Sequence, residues 1–374
     1  MKVALVHDWL TGMRGGERVL EVLCGLYPGA DLYTLLHAGV RLSGPIEGMR
    51  IRTSFIQRFP GVSRYYRYCL PFFPAAVERF YLRGYDLIIS SSHCVAKGIL
   101  PMPGALHISY CHTPMRYVWD VHFEYFKDPG KGLKNLLVST LANYLRIWDV
   151  TSSQRVDEFV ANSRFVQRRI KKYYRRESTV IHPPVNCDYF QPPGVPKDGD
   201  YFLMVTALVP YKRVDIAVDA FNRLGKRLLI VGDGQGTRDL KKRAGKTIEF
   251  LGWRGDEKIR ECYQGCRALI FPGKEDFGIT PVEAQACGKP VIAYGDGGVL
   301  ETVRPFPRER QPTGVFFDQP TAQSLIEAVG LFERNRDRFD PQEIRTHALQ
   351  FHREKFREKI QSFVEEKYRA FHTA

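Results

Sequence analysis

Two glutamates stand on either side of a short glycine-containing turn in the second half of the chain. Residues 273–284 read Gly-Lys-Glu-Asp-Phe-Gly-Ile-Thr-Pro-Val-Glu-Ala, with Glu275 in a loop and Glu283 in a helix expected to begin at Thr280. The first turn of a helix carries free N–H groups and a positive dipole end, which together favour a diphosphate. Gly278 lets such a ligand approach the backbone closely. The residue types predict an anion site at which Glu275 accepts from sugar hydroxyls and Glu283 from ribose hydroxyls.

A structural role for Glu283 competes with this interpretation. With Thr280 as the cap and Pro281 as the first helical residue, Glu283 would stand where a capping box places its acidic member. The sequence leaves capping and ligand binding open for Glu283. Glu275 has no comparable structural role, because a loop carboxylate after a buried strand gains nothing from capping.

Two cations, Lys212 and Arg213, follow another predicted strand and its loop. Cations there can neutralise a diphosphate while the bond to it breaks, as metal-free transfer requires. A solvated pair at a helix start is the less attractive alternative, because cations oppose the helix dipole at that end. The acidic pair at residues 198 and 200 lies in a linker, so the sequence implies no metal.

Further candidates follow strands in both halves of the chain. His112 lies in a loop after a strand and before Thr-Pro, a context that suits a functional side chain, although a lone histidine is more often structural. A glycine pair in the first strand-to-helix loop could pass close to a bulky anion or form an ordinary turn. Two other strand ends would border a nucleotide base, and at the first of them, Gly232-Asp233-Gly234, a tight turn is an alternative. The residues concerned are Gly15, Gly16, Gly232, Asp233 and Trp253.

Short buried-type segments alternate with helical ones, which predicts parallel sheets with right-handed crossovers. The expected fold class is α/β: two doubly wound, Rossmann-like domains facing each other across a cleft, with ligands at the carboxyl ends of the strands. A Pro- and Gly-rich stretch at 192–200 separates them. The predicted domains are residues 1–190 and 197–353, and a helix at about 354–374 is expected to pack back on the first. The predicted strands cover residues 3–6, 87–89, 106–110, 202–205, 228–231, 248–251, 268–271 and 291–293.

These motifs together resemble a known family. Glutamates with seven residues between them around Phe-Gly are similar to the E-x7-E signature of retaining family 4 glycosyltransferases of the GT-B fold. The resemblance extends over nearly the whole chain and is nearest to the WbaZ-like mannosyltransferase group. It rests on the segments 3–17, 86–92, 110–120, 209–221, 232–234 and 297–303.

The resemblance implies a role for each matching residue. Glu275 would contact the transferred sugar and Glu283 the ribose, while Gly15 and Gly16 close over the diphosphate and His112 lies beside the reacting carbon. The family usually has an arginine five residues before the lysine, where this chain has Ala207, so Arg213 is expected to share the work of Lys212. The amides that hold phosphate and sugar oxygens would be those around Phe277, Gly278, Ile279 and Thr280.

Composition sets limits on partners and location. Lys and Arg number 55 against 41 Asp and Glu, a formal charge of +14 that favours an anionic partner. Basic and aromatic residues interleave at 58–83 and 164–176, a mixture that suits an anionic lipid surface and also single-stranded nucleic acid. A solvated helix face over an ordinary core is the plain alternative. The eight cysteines lack framework or zinc-site spacing, and no segment has the apolar length of a membrane span.

The sequence therefore predicts a metal-independent retaining glycosyltransferase without a resident cofactor. Its expected donor is GDP-mannose and its acceptor a lipid-linked or glycan precursor, both by resemblance. The expected location is the cytoplasm, peripheral to an anionic membrane face, with no nucleic-acid partner. Two rivals share the sequence features: a nucleotide-sugar 2-epimerase of the same architecture, and a non-catalytic scaffold that binds membrane or nucleic acid.

Overall fold

The computed structural model describes residues 1–120, 133–194 and 199–373. The middle of the predicted linker, residues 195–198, and with it the predicted start of the second domain at residue 197, lies outside the described residues. The chain forms two compact units, Val185–Arg353 and the combination of Met1–Pro184 with Glu354–Ala374. The predicted α/β class with two Rossmann-like domains is confirmed, since each unit contains a seven-stranded parallel sheet in the part of the chain described.

The first unit is built on a parallel sheet with the strand order β3-β2-β1-β4-β5-β6-β7. Its central strands are buried on both faces, as continuous apolar runs such as Val-Ala-Leu-Val require. The strands are β1 Val3–His7, β2 Asp31–Thr34, β3 Arg50–Thr53, β4 Leu87–Ser92, β5 Leu106–Cys111, β6 Glu158–Ala161 and β7 Thr179–Val180.

Helices cover both faces of this sheet. The last of them belongs to the first unit because Phe356, Ile360 and Val364, on one helical face, are buried in its core. The described helices are α1 Gly15–Leu26, α2 Gly44–Glu47, α3 Val62–Tyr65, α4 Phe73–Glu78, α5 Arg116–Trp119, α6 Leu133–Ser153, α7 Arg164–Tyr174 and, from the end of the chain, Arg353–Thr373, with 3-10 turns at Phe55–Arg58, Tyr66–Phe72 and Ala96–Gly98.

The second unit repeats the arrangement with the strand order β10-β9-β8-β11-β12-β14-β13. Its strands are β8 Tyr201–Val205, β9 Arg227–Val231, β10 Ile248–Gly252, β11 Leu269–Phe271, β12 Val291–Tyr294, β13 Pro305–Phe306 and β14 Gly314–Phe317. Its helices are α8 Val214–Leu224, α9 Thr237–Arg243, α10 Asp256–Gly265, α11 Ile279–Ala286, α12 Val299–Thr302, α13 Ala322–Arg334 and α14 Pro341–Ala348. The terminal helix Arg353–Thr373, which packs on the first unit, is numbered α15. The 3-10 turns of this unit are Pro210–Lys212, Arg336–Arg338 and Leu349–Phe351.

The units divide slightly earlier in the chain than residue 190, where the predicted first domain ended. Val185 donates its N–H to the carbonyl of Phe351 at 3.0 Å, and Phe190 is buried in the second unit's core. Residues 185–190 therefore belong to the second unit.

Strand order reverses near the middle of each sheet. In the first sheet the chain runs outward from β1 through β2 to β3, then returns to place β4 on the other side of β1. The same reversal separates β8 from β11 in the second sheet. A crevice forms at the carboxyl ends of the strands at such a point, and there ligands bind in doubly wound folds. His7 ends β1, and the loop that carries Glu275 follows β11.

Candidate active site

An ion pair joins two of the predicted residues at the carboxyl edge of the second sheet. Lys212 follows β8 and Glu275 follows β11, and the Lys212 ammonium contacts the Glu275 carboxylate directly. Both side chains are less than one-fifth exposed. Close packing of the two loops brings them together: a Cβ on Gly273 would stand 2.9 Å from the Cα of Lys212. Because water is partly excluded here, the effective dielectric constant is lower and each charge interacts more strongly with its neighbours.

A second glycine loop supports the Glu275 backbone. Gly298 donates its N–H to the Glu275 carbonyl at 2.8 Å, and Glu275 pairs with Gly297 as an isolated parallel bridge. A Cβ on Gly297 would stand 2.5 Å from the Glu275 carbonyl oxygen. Lys274 and Asp296 close the same contact with an ion pair of 2.7 Å. The sequence resemblance included this loop, but its support of Glu275 could be seen only in three dimensions.

Helix α11 begins one residue earlier than predicted, at Ile279, and the predicted cap at Thr280 is wrong. Gly278 occupies the cap position with φ of 87°, and no side chain among the residues described makes a capping hydrogen bond to this helix end. Thr280 and Pro281 are therefore the second and third helical residues, so the capping box that would have used Glu283 does not exist. The amides of the first turn point out of an uncapped helix end that also carries the positive end of the dipole.

Glu283 lies in the helix beyond its first turn and accepts a hydrogen bond from the Tyr263 hydroxyl at its Oε2, 2.9 Å away. Tyr263 is fully buried in α10, and burial raises the pKa of its phenol well above the ordinary range, with the Glu283 carboxylate acting in the same direction. The phenol is thus a permanent donor, and it fixes the direction in which the Glu283 carboxylate points.

Arg213 pairs with a carboxylate of the helix that it precedes. It caps α8 in a left-handed conformation, with φ of 51°, and its Nε and Nη2 each lie 3.3 Å from a carboxylate oxygen of Asp215. The structure therefore brings Lys212 to Glu275 and holds the Arg213 guanidinium on its own helix.

The predicted base-side residues lie beside one another at the next strand ends. Gly232 follows β9 with φ of 132°, where a Cβ would stand 1.8 Å from the Thr206 carbonyl oxygen, and it donates to the Gly252 carbonyl at 2.9 Å. Asp233 accepts from the Thr237 hydroxyl and the Gly234 N–H, both at 2.7 Å, and these bonds lower the pKa of its carboxyl. Asp233 thus has the role of a turn residue, while Trp253 is 76% exposed after β10 and offers an open ring face.

The predicted residues of the first unit gather at the carboxyl edge of its sheet. The Nε2 of His112 lies 2.8 Å from the Ser91 hydroxyl, which in turn lies 3.1 Å from the Nδ1 of His7. Gly16, beside Gly15 at the start of α1, packs so closely that a Cβ would stand 3.3 Å from His7 and 3.7 Å from His112. Burial holds the pKa of His112 well below its usual range, with His93 and His7 acting in the same direction, so its imidazole is neutral.

Asp8 illustrates a buried carboxylate with a structural role. Its two oxygens accept the N–H groups of residues 93–96 at 2.6 to 3.0 Å, and the Nδ1 of His93 lies 3.1 Å away. His93 and these amides outweigh burial and lower the pKa of the Asp8 carboxyl. Asp8 therefore holds the turn after β4, and its hydrogen-bonding capacity is used within the fold.

Within the described ranges, no group of three or more His, Cys, Asp or Glu side chains is arranged to hold a metal ion. The helices described there include none with both the length and the apolar character needed to cross a membrane. All eight cysteines are free thiols in buried positions.

Two family models match consecutive parts of the chain. The model described as Glycosyltransferase Family 4 matches residues 20–189, and the model described as Glycosyl transferases group 1 matches residues 187–348. The division between the two matches falls near the division between the two units.

Curated relatives match over part of their length. An uncharacterised glycosyltransferase of Methanocaldococcus jannaschii is 30% identical over 152 residues, which are 39% of this chain and 42% of that protein. A D-inositol 3-phosphate glycosyltransferase of Mycobacteroides abscessus is 30% identical over 172 residues, 40% of this chain and 38% of that protein. The chain thus spans about two-fifths of the length of these relatives.

Solved structures match over nearly the whole chain. Anabaena HepE in complex with UDP-glucose superposes with a TM-score of 0.70 at 17% identity, covering 98% of this chain and 100% of that one. Sucrose-phosphate synthase of Thermosynechococcus elongatus superposes with a TM-score of 0.73 at 16% identity, covering 99% and 100%. At these identities the likeness is one of fold.

Proposed function

Two glycosyltransferase family models divide residues 20–348 between them, so the chain belongs to the glycosyltransferases, and we propose that it transfers a hexose from a nucleotide diphosphate sugar with retention of configuration. The observation that carries the proposal is the uncapped start of α11 beside the Lys212–Glu275 pair. The proposed donor is GDP-mannose, the acceptor a lipid-linked or glycan hydroxyl, and the reaction needs no metal.

The donor diphosphate binds at the start of α11. Backbone amides of Gly278, Ile279 and Thr280 donate to its oxygens, and the helix dipole and Lys212 supply positive charge. Lys212 then exchanges the Glu275 carboxylate for phosphate, which leaves Glu275 to accept from hydroxyls of the transferred sugar. Glu283, directed by Tyr263, accepts from the ribose hydroxyls. Trp253 offers its exposed ring to the base.

In the transfer step, the bond between the anomeric carbon and the phosphate oxygen breaks and its electron pair stays on the phosphate. The acceptor oxygen bonds to the same face of the sugar, and its proton passes to the departing phosphate oxygen. Lys212 and the helix end stabilise the growing phosphate charge, an electrostatic contribution typically worth several kcal/mol. We further propose that His112 hydrogen-bonds a hydroxyl of the substrate.

The proposed donor rests on the resemblance to mannosyltransferases, and the similar proteins suggest UDP-glucose as an alternative donor. HepE is a fold neighbour in complex with UDP-glucose, and the relatives include D-inositol 3-phosphate glycosyltransferases. A thermal-shift panel of GDP-mannose, UDP-glucose and an ADP-sugar separates these, because a ligand that binds the native state raises the melting temperature. We expect the largest shift with GDP-mannose, and a larger shift with UDP-glucose would overturn the donor assignment.

Activity itself is tested by release of nucleoside diphosphate from the bound donor with and without an acceptor mixture. Acceptor-dependent release that persists in excess EDTA is expected, and NMR of the product should show the donor's anomeric configuration. Incubation with donor alone separates the epimerase rival, since an epimerase makes a new nucleotide sugar without any acceptor. Formation of that product, or inversion in the transfer product, would contradict the proposal.

A basic and aromatic surface of the first unit supports the proposed membrane contact. Within residues 58–83, Tyr66 and Phe73 pack into the core, but Tyr68, Phe72 and Tyr81 are exposed among arginines. Exposed aromatic rings between cations suit the headgroup region of an anionic membrane, and a cytoplasmic membrane face is the proposed location. Co-sedimentation should favour anionic over neutral vesicles, and Tyr68→Ser with Tyr81→Ser should weaken it. Equal binding to both vesicle types would remove this part of the proposal.

A further inference from the structure

A series of four neighbouring polar side chains, three of them buried and the last partly exposed, ends at His112. Its Nε2 lies 2.8 Å from the Ser91 hydroxyl, and that hydroxyl lies 3.1 Å from His7 Nδ1. On the far side of His7, Nε2 lies 3.9 Å from Glu17 Oε1. His7, Ser91 and Glu17 are each more than nine-tenths buried, so water competes little for their hydrogen-bonding groups.

Glu17 is the carboxylate that His7 Nε2 faces. This nitrogen is buried and makes no hydrogen bond within the described part of the chain, and Glu17 Oε1, 3.9 Å away, is the carboxylate oxygen beside it. The other oxygen of Glu17 accepts the N–H of Arg14 at 3.1 Å at the start of α1, which anchors the carboxylate. The nearby carboxylate of Asp8 is occupied by four backbone amides and His93.

If both imidazoles are neutral, proton counting allows two directions for the hydrogen bonds of this series. Ser91 has one hydroxyl proton, so it donates to one imidazole and accepts from the other. If His7 carries its proton on Nε2, its Nδ1 is an acceptor, Ser91 donates to it, and His112 must carry its proton on Nε2. If His7 carries its proton on Nδ1, every bond reverses and the His112 proton moves to Nδ1. A carboxylate facing His7 Nε2 favours a proton on that nitrogen, and therefore the first direction.

We propose that Glu17, His7 and Ser91 are positioning residues that hold His112 as the tautomer protonated on Nε2. Its Nδ1, which makes no hydrogen bond to any residue the structure describes, is then an acceptor for a substrate hydroxyl. The assignment of a hydroxyl rests on the proposed transferase function, whereas the tautomer follows from the protein alone. Because Glu17, His7 and Ser91 are buried, the protein sets this tautomer before any ligand binds.

Glu17→Gln is the most informative variant. A glutamine side-chain oxygen can still accept from the Arg14 N–H, so the start of α1 keeps its cap. Its amide N–H2 then faces His7 Nε2 and favours an unprotonated nitrogen there. The direction of both Ser91 hydrogen bonds should then reverse, and His112 should become protonated on Nδ1. A purely structural role for Glu17 predicts no such reversal.

Ser90→Ala provides a matched control. Ser90 neighbours Ser91 in β4, points to the opposite face of the sheet, and its hydroxyl lies 2.9 Å from the Nε2 of His107. It is fully buried, as Ser91 is. Its loss removes the same kind of serine–histidine bond with no connection to His112. Ser91→Thr keeps a hydroxyl in a strand and serves as the conservative variant beside Ser91→Ala.

The experiment is ¹⁵N NMR of histidine-labelled full-length protein, with the His112 signals assigned by their loss in His112→Gln. The expected result is an Nε2-protonated His112 in wild type and Ser90→Ala, reversal in Glu17→Gln, and tautomer mixing in Ser91→Ala that Ser91→Thr restores. An unchanged His112 tautomer in Glu17→Gln, or an Nδ1-protonated wild type, overturns the proposal.

Kinetics test the use of the tautomer. Glu17→Gln and Ser91→Ala should lower kcat roughly 10- to 100-fold, the usual effect of losing a partner that orients a histidine. The donor-induced thermal shift should stay as in wild type, and Ser91→Thr should recover most of kcat. A reversed tautomer with unchanged kcat overturns the role of Nδ1. Absence of transfer by wild type with every donor would instead count against the proposed function. The NMR result would still show which tautomer of His112 the protein holds.

Discussion

At the residue scale, the Lys212–Glu275 pair supplies the two charged groups of the proposed donor site. Both side chains are largely shielded from water, so their interaction is screened less than that of a surface pair. Removing one partner leaves the other charge without its counterpart in a partly buried place. An incoming donor can satisfy both groups at once, since it offers a phosphate to the lysine and hydroxyls to the glutamate.

The variant Lys212→Met tests this pair. We expect kcat to fall roughly 100-fold or more, because a preorganised positive group no longer stabilises the leaving phosphate. Lys226→Met is the matched control: Lys226 pairs with Glu333 at 3.0 Å on the surface of the same unit. Steady-state kinetics of both variants make the comparison. Equal loss in both, or none in Lys212→Met, would contradict the role of Lys212.

At this scale the sequence indicates which residue types could form a site, whereas their local geometry depends on contacts that the sequence does not show. It left Glu283 between capping and ligand binding, and Gly278 as cap removes the first alternative. It could not find the support of Glu283 by Tyr263, or that of Glu275 by Gly297, because those contacts join residues that are distant in the chain. It paired Arg213 with Lys212, whereas Asp215, two residues away, holds the guanidinium.

At the element scale, loops after parallel strands position the site and rigid packing holds the loops. The loop after β11 is placed against β8's loop by Gly273 and against β12's loop by Gly297 and Gly298. Each of these glycines lies where a Cβ would meet a neighbouring backbone atom. Glu275 is therefore held by close backbone contacts on two sides, which limits its movement between donor-free and donor-bound states.

Gly297→Ala tests this packing. A methyl group would clash with the Glu275 carbonyl at a residue with φ of 85°, so we expect about 1–3 kcal/mol of lost stability and weaker donor binding. Gly225→Ala is the control, because Gly225 also has positive φ, at 65°, but its Cβ would meet open space. Calorimetric titration should show weaker donor binding in Gly297→Ala alone. Equal donor affinity in both variants would contradict the supporting role.

The elements that sequence predicted are those with continuous apolar runs. All eight predicted strands lie within or next to observed ones, including the five strands β8 to β12 of the second sheet. Two of the missed strands lie at the edges of the first sheet: β3 reads Arg-Ile-Arg-Thr, and β7 has two residues. Such strands depend on pairing with a neighbour, which local sequence does not reveal.

At the scale of the whole molecule, buried histidines tie stability to pH in both units. Burial lowers the pKa of His107 in the first unit and of His347 in the second to about 4 each. Between that value and the unfolded pKa of about 6.5, the unfolded chain binds more protons than the native one. Stability is thus fully present above about pH 6.5 and falls as the solution becomes more acidic.

Urea unfolding at pH 7, 6 and 5 measures this effect. Each such histidine should reduce the free energy of unfolding by about 1.4 kcal/mol per pH unit once the unfolded residue is protonated. His347→Gln keeps a donor for the Thr302 carbonyl. It should reduce the slope of the free energy of unfolding against pH by the contribution of one histidine. A free energy of unfolding that stays level or rises towards pH 5 would refute this linkage.

Backbone amide hydrogen exchange in the presence of a saturating nucleoside diphosphate tests the central claim most directly. We expect strong slowing of exchange in the peptide that spans residues 276–282, whose amides open α11, while the peptide from α15 exchanges as before. Slowing should be lost in Lys212→Met at the same nucleotide concentration. Nucleotide that binds, by calorimetry, without slowing exchange at 276–282 would show that the diphosphate lies elsewhere.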